Sequence, residues 1–323
     1  MIITRRAALR TLASAAVITA SRRRASAKAS QPATPVNFSV PPGACDCHTH
    51  VFGDPARYPL WQGRTYTPEP ASVAEMRTMH RALHMDRVVI VQPSIYGTDN
   101  SCTLDAVHEL GARARGVAVI DDNTTDAQLD AMHGGGIRGI RLNLETFGQT
   151  EPSAVRQRFL NAVARMKPRN WHIQIYTRLS VIEGLREQIA AAAIPIVFDH
   201  FGGARADHGV DQPGFKALLD LVRQGAAYVK ISGAYRSSDE PPDYGDATPL
   251  AKALIAANPV RILWGTDWPH PNSTPPKDQA VSVVTPLLQI DDGRLLNQLT
   301  IWEPDGGMRK QILVENPARL YGF

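Results

Sequence analysis

Two histidines one residue apart, His48 and His50, close a short apolar run in the stretch GACDCHTHVFG. Side chains alternate along a strand, so the pair shares one face and Cys47 and Thr49 take the other. Such a pair presents two imidazoles to a metal ion, or two hydrogen-bond donors to a substrate with no metal at all. A lone strand histidine is usually core, and two on one face need a further partner to make a site. Asp267 is a candidate partner. It follows the apolar run ILWGT, between Trp264 and Trp268, where a carboxylate is desolvated and its pKa raised unless it is paired or bound. A group in that situation is a metal ligand or a general base; the structural alternative is a turn aspartate ahead of Pro269. His200, after IPIVFD and ahead of Gly202-Gly203, suits a ligand, an oxyanion donor or a plain backbone contact.

Eight short apolar segments carry these residues: 43–50, 86–94, 115–122, 136–143, 171–178, 194–200, 227–233 and 261–267. Their length and β-branched content mark buried parallel strands. Helical patterns lie between them, among them 71–84, 152–166 and 215–225. Strand and helix alternating eight times predicts an α/β protein, a (β/α)8 TIM barrel in one domain. A doubly wound open sheet is the competitor, but no G-x-G-x-x-G follows the first strand. Polar residues gather at the downstream strand ends, where such a barrel builds its active site. In order they are His48 and His50, Gln92 and Ser94, Asp121 and Asp122, Arg141 and Asn143, Tyr176, Asp199 and His200, Ser232, and Asp267. That convergence argues for an enzyme.

The first 27 residues read differently. Paired arginines (Arg5, Arg6) precede the mild apolar run LASAAVITA, and the segment ends in small residues, with Ala25 and Ala27 in cleavage positions. This is the layout of a twin-arginine export signal, and it predicts a periplasmic protein. Residues 28–42, rich in Ala, Ser and Pro, are expected to be a linker, and 43–323 the barrel. Residues 1–27 contain six arginines and no acid, so their removal takes the net charge from +4 to −2. No basic patch remains in the body to favour nucleic acid. No apolar run is long enough to span a membrane. Cys45 and Cys47 are too awkwardly spaced on a strand to bridge, and with Cys102 they suggest no disulfide framework.

The motifs CDCHTHVFG, VVIVQPSIYGTDN, GIRGIRLN, VFDHFGG, VKISGAYR, WGTDWPHP and ENPARLYGF together resemble the amidohydrolase superfamily. The similarity is to the branch of 2-pyrone-4,6-dicarboxylate and 4-sulfomuconolactone hydrolases, and it runs over nearly all of 43–323. It implies a lactone hydrolase acting on a small anionic ring-fission product of aromatic catabolism. It further implies His48, His50 and His200 around the lactone carbonyl, Asp267 as the base that activates water, and substrate contacts from Tyr66, Ser94, Arg141, Tyr176 and Arg236. The chemistry suits those types: a guanidinium matches a carboxylate or sulfonate, and donors around a developing oxyanion stabilise the tetrahedral intermediate. One position departs from the pattern. Phe147 stands just downstream of the fourth strand where a second arginine is expected, which favours a lactone decorated differently from the dicarboxylated pyrone.

The fifth strand bears on the metal. Metal-dependent members usually place a histidine at its downstream end, whereas WHIQIYTR puts His172 upstream and Tyr176 downstream. That argues against a binuclear centre. The resemblance leaves either no cofactor or a single Zn²⁺ on His48, His50, His200 and Asp267, donor types that suit zinc. Three alternatives stay open: a metal-dependent decarboxylase on the same scaffold, a sugar-lactone hydrolase or isomerase, and a barrel that binds an anionic ligand without turning it over.

Overall fold

A computed structural model describes residues 29–149 and 151–323. The expected export signal therefore lies outside the described residues. Among those described, no helix is long and apolar enough to cross a membrane.

The eight expected strands form. They are β1 (Cys45–Thr49), β2 (Arg87–Val91), β3 (Ala114–Ala118), β4 (Ile137–Asn143), β5 (His172–Tyr176), β6 (Ile196–Phe198), β7 (Ala227–Ser232) and β8 (Ile262–Gly265). They pair in parallel and in chain order, the topology of a (β/α)8 barrel. Helices cover the outside, including α1 (Val73–Leu83), α2 (Ser101–Leu110), α3 (Asp126–Gly134) and α4 (Pro152–Met166). Alternate strand residues face the two sides. Val88, Ile90, Ile196, Phe198, Val229 and Ile231 join the main core beneath the helices. Val89, Val91, Val117, Val197, Tyr228 and Leu263 form a separate inner cluster, with Tyr321 from the C-terminal helix packed among them.

The barrel closes between β8 and β1, and it closes at the candidate site. Asp267 N donates to His48 O at 2.8 Å, and His50 N donates to Trp268 O at 2.8 Å. Lower in the same seam, the Asp46 carboxylate accepts from Thr266 N at 3.0 Å and Thr266 Oγ1 at 2.7 Å, and meets His80 Nε2 of α1 at 3.1 Å. Gly265 makes this approach possible: a Cβ there would sit 2.7 Å from His48 N.

Strict alternation does not hold along β1. Its register against β2 slips by one residue between Asp46 and Thr49, a bulge of the sort that re-aims side chains near active sites. Cys47 accordingly packs in the inner cluster, while His48 and His50 still turn inward together above it. The three cysteines are free and buried.

Residues 29–42 contain no helix or strand, as a linker would, yet they are fastened to the barrel. Trp268 Nε1 donates to Ser30 O at 3.1 Å, and Thr34 Oγ1 donates to Asp291 Oδ2 at 2.6 Å. Asn297 receives Asn37 N at 2.8 Å and donates to Pro35 O at 2.9 Å. The segment is a strap.

Candidate active site

Asp267 stands at the centre, fully buried, with its two oxygens treated differently. Oδ2 accepts from Tyr235 OH at 2.6 Å and from Arg236 Nε. Oδ1 has no hydrogen-bond donor and faces three imidazoles: His48 Nε2 at 3.5 Å, His50 Nε2 at 3.5 Å and His200 Nε2 at 3.8 Å. Both Asp267 and His200 hold positive φ, 67° and 46°, an uncommon backbone for non-glycine residues that clusters at functional sites. Burial alone pushes the Asp267 carboxyl upward. The Arg236 guanidinium, the largest opposing influence, outweighs it and holds the group well below the ordinary carboxylate range. The sequence-based choice between a raised and a paired carboxylate therefore resolves as paired and ionised.

The histidines are neutral. Burial lowers His48 well below the usual imidazole value, lowers His50, and brings His200 down to about 4. A neutral imidazole carries one N–H and one lone pair, and the partners assign which nitrogen has which. His50 Nδ1 lies 2.7 Å from Val91 O, a pure acceptor, so Nδ1 bears the proton and Nε2 the lone pair. His200 Nδ1 lies 3.3 Å from Ser232 O and 3.1 Å from Ser232 Oγ, with the same consequence. His48 Nδ1 sits between an acceptor, Asp199 Oδ1 at 3.2 Å, and a donor, Lys230 Nζ at 3.4 Å. The carboxylate is nearer, and the ammonium already donates to Gln174 Oε1 at 2.6 Å, so we place the proton on Nδ1. Three lone pairs then converge on an ionised oxygen, an arrangement that asks for a cation between them.

A zinc ion fits that requirement. Bonds of about 2.0–2.1 Å in a tetrahedral shell put neighbouring donor atoms about 3.3 Å apart, close to the distances of the histidine nitrogens from Asp267 Oδ1. His48, His200 and Asp267 offer donor atoms all within 4.8 Å of one another, with His50 alongside. His50 and His200 anchor the other nitrogen on Val91 O and Ser232, and His48 is backed by the Asp199–Lys230 pair, the usual outer support of a metal-binding imidazole.

Beneath His48 lies a buried charged layer. Asp199 accepts from Gln174 Nε2 at 3.1 Å, with Lys230 Nζ at 3.6 Å and Arg141 Nε at 3.5 Å. Burial pushes the Asp199 carboxyl up, and His48, Lys230 and Arg141 more than offset this, leaving it well below its ordinary value. Lys230 and Tyr235 were not singled out in the sequence, and Asp199 only as one strand-end polar group among many. The available signal was Lys230 itself, a charge in the middle of the buried strand AYVKISG.

The remaining expected residues reach the same chamber. Tyr66, Ser94, Arg141, Tyr176 and Arg236 line the small pocket against His50, His200 and Asp267. Tyr176 meets His200 edge-on at 5.2 Å between ring centres, and Arg141 lies over the Tyr176 ring at 5.6 Å. The two arginines meet carboxylates, but those of the protein itself. Gln92 serves structure, accepting from Thr103 Oγ1 at 2.6 Å and donating to Asp99 O at 2.7 Å. His172 is buried at the barrel floor against Tyr321, as its upstream position implies. His270 is fully buried between Ser30 Oγ and Asp292 Oδ1, each at 3.0 Å.

Comparison with known proteins agrees with this architecture. The sequence profile of the family described as amidohydrolase matches residues 45–323. The chain is 37% identical over 290 residues to a 4-sulfomuconolactone hydrolase of Hydrogenophaga intermedia, covering 89% of this chain and 91% of that protein. It is 32% identical over 293 residues to a 2-pyrone-4,6-dicarboxylate hydrolase of Comamonas testosteroni, covering 88% and 92%. Among solved structures it resembles a probable 2-pyrone-4,6-dicarboxylic acid hydrolase of Acinetobacter baumannii with citric acid bound. The TM-score there is 0.70 at 26% identity, over 87% of this chain and 100% of that one.

Proposed function

The chain belongs to the amidohydrolase family, and from that premise we propose how it works as a lactone hydrolase on an anionic ring-fission product of aromatic catabolism. Hydrolase relatives at 32–37% identity over most of the chain support the activity. The observation that carries the mechanism is the single unpartnered oxygen of Asp267 facing three neutral imidazoles.

Asp267 Oδ1 takes the proton of the attacking water, and Oδ2 stays locked by Tyr235 and Arg236 so that the free oxygen keeps its aim. Water attacks the lactone carbonyl carbon, the ring C–O bond breaks, and the proton held on Asp267 passes to the leaving ring oxygen. His48, His50 and His200 are the residues that would hold one Zn²⁺, with Asp267 Oδ1 facing it; bound there, it would supply Lewis-acid polarisation of the carbonyl and acidify water. Tyr66, Ser94 and Tyr176 orient the ring from the pocket wall, and Arg141 contributes positive potential beside it. A positioned carboxylate base accounts for about 10²–10⁴ in rate.

The test is a panel of sulfomuconolactone, dicarboxylated pyrone, muconolactone and aldonolactones, with product identity followed by mass spectrometry. Net ring opening to the free acid is the expected outcome. Loss of carbon dioxide in place of ring opening would instead assign a decarboxylase, and transfer of the lactone between positions an isomerase.

A further inference from the structure

The chamber against Asp267 measures about 20 Å³, room for little more than one water. A substrate can therefore present only its reacting end there. Past Ser94, Arg141 and Asn143, which border both spaces, a groove of about 750 Å³ opens between the ends of β3 and β4 and helix α4. The groove offers the room that the chamber lacks.

The groove has two distinctive walls. Along α4, Ala154, Gln157, Arg158, Asn161 and Arg165 line it, at helical spacings that form one stripe, while Val155, Phe159 and Met166 bury the opposite face. Across from them stand Trp61 and Phe147, ring centres 6.0 Å apart and nearly perpendicular. Trp61 is 44% exposed, costly for an indole with no partner to cover it. Its position is nevertheless set: the Trp61 backbone N–H donates to Ile95 O at 2.8 Å, and the ring packs over Gly97 (φ +55°), where a Cβ would come within 3.0 Å.

The arginines divide into committed and uncommitted. Arg236 is bound to Asp267 and to Pro271 O, and Arg141 to Asp199 and Gln92 O. Arg165 spends its terminal nitrogens on Asp121 O and Thr124 O. Among the described residues Arg158 donates only to the Gln149 side chain and forms no ion pair; Asp122, which also lines the groove, is near enough to favour its charge without pairing with it. Asp121 and Asp122 also line the groove, but Asp121 is turned into its own loop through Asn123 N and Thr124 Oγ1.

We propose that this groove is the arm subsite of the lactone site. It takes an acidic side arm of the substrate, a carboxylate or sulfonate, with Arg158 as the charge contact and Trp61 and Phe147 as the flat walls. The proposal rests on the lactonase reading, and places selection of the arm on α4 rather than on the arginines around Asp267.

The experiment compares muconolactone with its methyl ester, in which the arm loses its charge, using the wild type, Arg158→Gln and Arg158→Lys. Arg158→Gln is expected to raise KM for the acid about tenfold or more, the value of a charge-assisted contact, leaving kcat and the ester's kinetics unchanged. Arg158→Lys should recover part of the loss. Equal effects on acid and ester, or none on either, would overturn the proposal. If the wild type opens no lactone of the panel, the lactonase reading fails separately. The groove is then judged by calorimetric titration of muconate against its monomethyl ester: an acid preference lost in Arg158→Gln sustains it, and no preference removes it.

Discussion

Asp199 Oδ1 lies 3.2 Å from His48 Nδ1, with both side chains wholly buried. This contact favours the proton of His48 on Nδ1, against Lys230 Nζ at 3.4 Å from the same nitrogen. With the proton held toward Asp199, Nε2 turns its lone pair toward Asp267, as His50 and His200 do. Lys230 and Arg141 keep Asp199 ionised and so able to hold that proton. The lower charged layer thus supports the arrangement proposed to hold a cation.

Replacing Asp199 with Asn should therefore weaken metal binding by about 10–100-fold, the usual cost of losing an outer partner of a ligating histidine. Competition with a chromophoric chelator measures it. An unchanged affinity would show that Lys230, not Asp199, sets the His48 tautomer.

Protein purified without chelators should carry about one zinc per chain by plasma mass spectrometry, since three histidine nitrogens converge beside one carboxylate oxygen and leave a position open. Stripping the metal should lower the melting temperature, because three lone pairs and a carboxylate oxygen are then left facing one another. Full activity in metal-free protein would mean that the histidines act on the carbonyl without an ion.

Asp267→Asn should reduce kcat by about 10²–10⁴, the contribution of a positioned general base, with substrate affinity largely kept. Steady-state kinetics and equilibrium binding of substrate to the variant separate the two quantities. Normal turnover would remove Asp267 from the role of base.

His172, buried at the barrel floor, donates from Nδ1 to Arg138 O at 2.9 Å, and burial, with Lys230 adding to it, pushes its pKa down to about 3. The unfolded chain binds this proton near pH 6.5, the folded one only near 3. Stability is thus fully present above pH 6.5 and falls as pH drops toward 3, by about 1.4 kcal/mol per pH unit for one such site. Urea titrations at pH 7 and pH 5 should show His172→Gln losing about one proton's worth of that dependence. Identical slopes for the two proteins would count against it.

Much of the site could be read in advance because it rests on local pattern. The β-branched runs set the strands, and the downstream positions of His48, His50, His200 and Asp267 follow from strand direction alone. Phe147 likewise stood out where a cation was expected. What could not be read depends on partners far along the chain: Lys230 against His48, 182 residues apart, or Ser30 against His270, 240 apart. The bulge in β1 was equally hidden, since nothing local in CDCHT breaks the alternation.

The sequence by itself determined the barrel, its single-domain extent and the identity of the groups at its mouth, because apolar periodicity and strand polarity are properties of short segments. Tertiary structure alone decided that Arg236 pairs with Asp267, that Asp199 and Lys230 face His48, and that among the described residues no carboxylate pairs with Arg158. Ionisation, tautomer and pairing depend on which charges meet in a desolvated interior, and that is settled only when eight strands close into one ring.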